Sequence, residues 1–214
     1  MKIRWFGRFL LLAAAAMLLA GTPVVAAEKA MKEKKPTHTE LRNAMRMLWE
    51  DHVHYTQAFI VASLAGLEDA GPLAERLLRN QDDIGNAVKP FYGEEAGKKL
   101  SALLRDHILI AADLVKAAKA GDNDGVGKNR KRWDANADEI VAFLNGANPK
   151  NWPAPVLKDM LYKHLDYTST NVVSRLKKDW AAAIQAYDAG HAHMLMFADA
   201  LSDGIIKQFP KKFK

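Results

Sequence analysis

The sequence predicts an all-α protein: an antiparallel helical bundle of four long helices with two shorter helices packed on it, behind a cleaved signal peptide. Apolar residues recur at three- and four-residue spacing through nearly all of the chain after residue 37. No stretch sustains the alternating pattern of a strand bounded by turns. Residues that start and stop helices fall between the periodic segments.

Residues 1–27 open with Lys2, Arg4 and Arg8, continue through the apolar run FLLLAAAAMLLAG and end on small residues at Ala26 and Ala27. That order is the pattern of a secretory signal peptide, so the mature protein is expected to be exported, with the periplasm as its destination. A retained membrane anchor is the alternative for a run of this length. Residues 28–36 are charged and end in Pro36, a linker composition, which leaves residues 37–214 as a single helical-bundle domain.

Within that domain Thr37 stands three residues before Glu40, a capping box that starts a helix running to about residue 65. GLEDAGP interrupts it, and Pro72, suited to a first helical turn, opens a second helix to about residue 88. KPFYG separates this from a third helix over about 94–120, which AGDNDG stops. A fourth runs over about 126–144, and NGANPKNWPAP is the clearest loop in the chain. A fifth begins after Pro155 and a sixth covers about 178–209, ended by Pro210, with Thr168 as a cap for a bend between them.

Composition removes several classes of function. With no cysteine there is no disulfide, thiolate metal site, lipidation cysteine or covalent c-type haem. The formal charge of +6 falls to +3 once Lys2, Arg4 and Arg8 leave with the signal, and basic clusters stand at the two ends, EKAMKEKK and PKKFK. No basic stripe interleaved with aromatics points to nucleic acid. Membrane contact is expected only through the signal segment or weak attraction of the basic ends to an anionic surface. Glycine-rich phosphate loops, serine nucleophile elbows and His-Glu-x-x-His helices are absent, which favours a non-enzymatic role. No particular protein partner is indicated.

The histidines carry the chemical signal. Counting 100° per residue places His52 among Leu41, Met45, Leu48 and Phe59, and His107 among Leu100, Leu103, Leu104 and Leu114. It centres His164 among Leu157, Met160 and Leu161, and His191 among Trp180, Ile184, Tyr187, Met194 and Leu201. Four histidines, each at the middle of an apolar helix face, predict a shared site. Unpaired buried imidazoles would otherwise cost roughly 1–3 kcal/mol each. The inward faces hold no Glu, which disfavours a carboxylate di-iron centre, whereas imidazoles suit zinc, copper, iron or nickel. The expected ligand is therefore a transition-metal ion or small cofactor on His52, His107, His164 and His191, supported by Tyr55, Thr56, Tyr167, Thr168 and Tyr187. Two alternatives use the same residues: a b-type haem with two of the histidines as axial ligands, or a non-catalytic envelope or partner-binding protein with a structural buried polar network. His54 and His193 turn about 200° from their neighbours His52 and His191 and cannot share an ion with them; His193 joins Asn80, Asn129 and Asn136 as other buried polar residues.

The segments LWEDHV, NQDDIGNAVKPFYG, HILIAADLVKAAKAGD, RWDANADEIVAFL, HLDYT and DALSDGIIKQFP together resemble a family of bacterial, all-helical exported proteins with no established activity. The resemblance covers nearly all of residues 41–213 and implies that these segments form one domain. It carries over no substrate or functional residue.

Overall fold

The computed structural model describes residues 35–214. The expected signal peptide, its alternative as an anchor, and residues 28–34 of the expected linker lie outside the described residues. Six α-helices fill the described residues, with no strand among them: α1 His38–Ala65, α2 Ala70–Tyr92, α3 Glu94–Ala120, α4 Asn123–Ala147, α5 Ala154–Leu176 and α6 Trp180–Gln208. A 3-10 turn, Pro210–Lys212, follows. None of these helices is long and apolar enough to cross a membrane.

Local chemistry sets the helix ends. Thr37 Oγ1 accepts from the Glu40 amide at 3.1 Å and the Glu40 carboxylate accepts from the Thr37 amide at 2.6 Å, so the first helix opens on the expected capping box. It closes on Gly66, whose φ of 72° is open to glycine at little cost. The second helix differs from expectation at both ends. It starts two residues before Pro72 and continues past Pro90 to Tyr92, because a proline late in a helix costs only one amide bond when the turn still packs. The expected bend at Thr168 is absent, since α5 runs through that position unbroken.

The two shorter helices, α2 and α5, have 23 residues each and are not appendages on a four-helix core. Each helix packs on the next, and α6 returns to α1, closing a ring. Arg42 pairs with Asp203 and Arg46 with Asp199, so the start of α1 meets the end of α6 and the two run antiparallel. Short connections impose the same reversal on successive helices. The odd-numbered helices α1, α3 and α5 therefore share one direction, and all three also touch one another across the middle of the ring. The main core includes the fully buried Met45, Ile84, Leu165 and Ile205, and a smaller cluster of Ile60, Val115 and Val172 stands apart from it.

Candidate buried histidine site

Because α1, α3 and α5 run parallel, side chains at similar depth in each come to one level. His52, His107 and His164 are respectively the fifteenth, fourteenth and eleventh residues of their helices, and all three are buried. The His164 ring lies between the other two, 5.6 Å from the centre of His52 and 6.1 Å from that of His107. Trp49 flanks His52 at 5.4 Å and Trp133 flanks His107 at 5.0 Å.

Their hydrogen bonds differ. His107 Nδ1 lies 2.7 Å from Asn136 Oδ1, while the Asn136 amide group donates to the Leu103 carbonyl at 3.1 Å. Asn136 therefore presents its oxygen, His107 Nδ1 carries the proton, and Nε2 keeps its lone pair. His52 Nδ1 faces Gln81 Nε2 at 3.3 Å. The two Gln81 amide hydrogens also face Leu77 O at 2.8 Å and Asn80 Oδ1 at 3.1 Å, three acceptors for two donors. The His164 ring has no hydrogen-bond partner among the described residues; Thr168 Oγ1 donates to its backbone carbonyl at 2.9 Å. Burial holds His52 down to about 3 and His107 to about 4. His164 lies well below its ordinary range, through burial first and then through its histidine neighbours. All three rings are neutral at pH 7, the form that binds metals.

The space around them is small and its surface almost wholly apolar, although several side chains in its walls carry an unpaired polar atom. A cavity of about 20 Å³ between α1, α2, α3, α4 and α5 is walled by all three histidines, and a second of about 20 Å³ lies on their other side, toward Phe197 and Leu201. Each has room for about one water molecule. Buried side-chain atoms without a partner are Thr56 Oγ1, Ser169 Oγ and Trp133 Nε1 on the first cavity, Trp49 Nε1 on the second and Gln81 Oε1 beside His52. Among the described residues only Arg76 Nη1 adds to that set from elsewhere. No three His, Asp or Glu side chains among the described residues stand close enough, as oriented, to hold one ion.

His191 does not join the other three, contrary to expectation. Its ring is one-third exposed, stacks on Tyr187 at 6.0 Å and lies 3.5 Å from Glu50 Oε1. The face assigned to it as buried divides along the helix: Met194 and Leu201 are buried, whereas Trp180 is 56% and Ile184 58% exposed. The first half of the helix buries Ala183 and Ala186 instead, and His193 and Phe197 are buried beside Met194. Small residues let α6 approach its neighbours closely; Gly190 sits where a Cβ would be 3.2 Å from the Tyr167 Cβ. His193 is buried as expected, and its Nε2 donates to the Met160 carbonyl at 2.8 Å, a structural bond.

The remaining expected residues divide similarly. Thr56 and Thr168 border the cluster. Tyr55 turns instead to α2, under the Arg76 guanidinium at 4.3 Å. Tyr167 and Tyr187 line a separate side cavity of about 30 Å³ with His191. Asn80 is buried and donates to Leu48 O at 2.9 Å. Asn129, expected to be buried, is half-exposed and accepts from Arg132 at 2.8 Å; it sits near the start of α4, where the helix face is open to solvent. Gln81, Ser169, Trp49 and Trp133 escaped the sequence reading of the site. Gln81 did carry a signal: it falls on the buried stripe of Leu77, Ile84 and Val88, where an amide needs a partner. No family model, curated protein or solved structure matches the chain.

Proposed function

We propose that this is a binding protein whose interior takes up a transition-metal ion, or another ligand of that size, on His52, His107 and His164. One observation carries the reading: three neutral imidazoles from three helices meet in the core, and the partnerless buried polar atoms gather around them instead of scattering. Folding does not leave such groups unpaired without cost, roughly 1–3 kcal/mol apiece. In a tetrahedral three-histidine site the ring centres stand about 5 Å apart, given metal–nitrogen bonds of about 2 Å. The separations of His52 and His107 from His164, 5.6 and 6.1 Å, lie near that spacing, and closing the shell requires the two outer rings to turn and draw toward each other. Asn136 on His107 supplies the outer hydrogen bond that orients ligating histidines.

The cavity size favours an ion over a haem. Slots for larger ligands occupy roughly 300–1,000 Å³, against about 20 Å³ on either side of the rings. A purely structural network accounts for His193 but not for His164, whose ring is left without a bond. Export to the periplasm and a wholly helical-bundle mature chain remain part of the proposal, supported by the residues 1–27 pattern and the closed ring of helices. The test is metal analysis of untagged protein from its native compartment, with thermal melting of the apo form against zinc, copper, nickel and iron. One of them should raise the melting temperature, and alanine at position 52, 107 or 164 should diminish that rise while His191→Ala keeps it. No shift with any of the four metals would sink the proposal.

A further inference from the structure

The histidine site is enclosed, so anything that binds there needs a way in, and the side cavity between α1, α5 and α6 borders it. That cavity shares Thr56, Ile60, His164 and Thr168 with the inner one, so His164 faces both. Thr56 Oγ1, buried and without a partner, sits in the shared wall. At the outer end His191 lies on its Tyr187 stack with Glu50 Oε1 3.5 Å away, both partly open to solvent. Gly190 contributes no side chain to the wall, next to the Tyr167 Cβ. The cavity wall thus carries the partly exposed His191, Thr56 and the buried His164, with the exposed Glu50 beside His191.

We infer that the cleft between α1, α5 and α6 is the entrance to the buried site, with Glu50 and His191 as a transient two-ligand station that passes a divalent transition-metal ion to His164. This rests on the core-binding reading above. An imidazole and a carboxylate strip part of an ion's hydration at the mouth, and the threonine hydroxyl offers the next oxygen. The two outer ligands bind too weakly alone to retain the ion.

A residue that serves only the path changes uptake and release by the same factor and leaves the equilibrium unchanged. Copper(II) chloride is the probe, read by quenching of Trp49 and Trp133 beside the site in a Trp180→Phe background that removes the exposed indole. Stopped-flow uptake and release into a chelator are compared for the parent chain, His191→Ala, Glu50→Gln and His164→Ala. Uptake and release should both slow about tenfold in His191→Ala and Glu50→Gln, with Kd held within about twofold. Unchanged rates in both variants, while His164→Ala abolishes binding, overturn the entrance and leave the core site standing. A weaker Kd in His191→Ala with unchanged uptake also overturns it, making His191 a ligand of the final site. A parent chain that takes up no copper, zinc, nickel or iron overturns the core reading and the entrance together.

Discussion

At the scale of single residues, the buried histidines tie stability to pH. Their folded-state values, about 3 for His52, about 4 for His107 and well below normal for His164, lie under the unfolded value of about 6.5. Between those limits the unfolded chain binds protons that the folded one refuses, so stability falls as pH drops from about 6.5 toward 4 and is flat above about 7. The expected slope is on the order of 1 kcal/mol per pH unit for each histidine, visible as a falling urea midpoint in apo protein. His164 also allows a sharper test. Because its ring has no hydrogen bond among the described residues, His164→Leu should leave the apo protein as stable at pH 7 or raise its stability by about 1–2 kcal/mol, while removing metal uptake. A loss of more than about 2 kcal/mol in apo His164→Leu would instead assign the ring a structural role. Helical counting found these three residues because each lies amid leucines and other apolar residues on one side of its helix. It gave no sign of their partners: Asn136 was one buried amide among several and Gln81 was not singled out, until the fold put them on His107 and His52.

At the scale of helices, periodicity was informative where one face is clearly apolar and failed where the helix is apolar nearly all round. The third helix buries the stripe that the sequence assigned around His107. The sixth, with Ala181, Ala182, Ala183, Ala186 and Ala189 on several sides of its first half, offers no unique inward face; close packing selected the alanines and left Trp180 and Ile184 outside. Close approach also governs α2 and α3. A Cβ on Gly85 would lie 2.6 Å from the Gly97 carbonyl, and one on Gly97 2.7 Å from the Gly85 carbonyl, so these helices touch backbone to backbone. Gly85→Ala should therefore destabilise by about 1–3 kcal/mol, despite the better helix propensity of alanine, and shift the thermal midpoint down. An unchanged or higher midpoint would mean that the two helices part easily.

At the scale of the whole molecule, the ring of six helices brings three parallel ones together at its centre, and their middle turns meet at the histidine level. The cavities are already formed, so loading needs ring rotations and not refolding. Far-UV circular dichroism should stay unchanged on metal addition while the melting point rises, by about 3 kcal/mol of added stability at a hundredfold excess over Kd. A gain of helix on loading would instead show that the apo protein is partly unfolded. What the sequence determined by itself was the all-helical class, most helix ends and the inward facing of His52, His107 and His164, because capping and 3.6-residue periodicity act within a few residues of one another. Only the tertiary structure decided that α1, α3 and α5 meet at the centre, that His191 stays at the rim, and that unpaired polar atoms collect around the three rings. Those outcomes depend on how far each helix turns and slides against its neighbours, and that is set by contacts between residues distant in the chain.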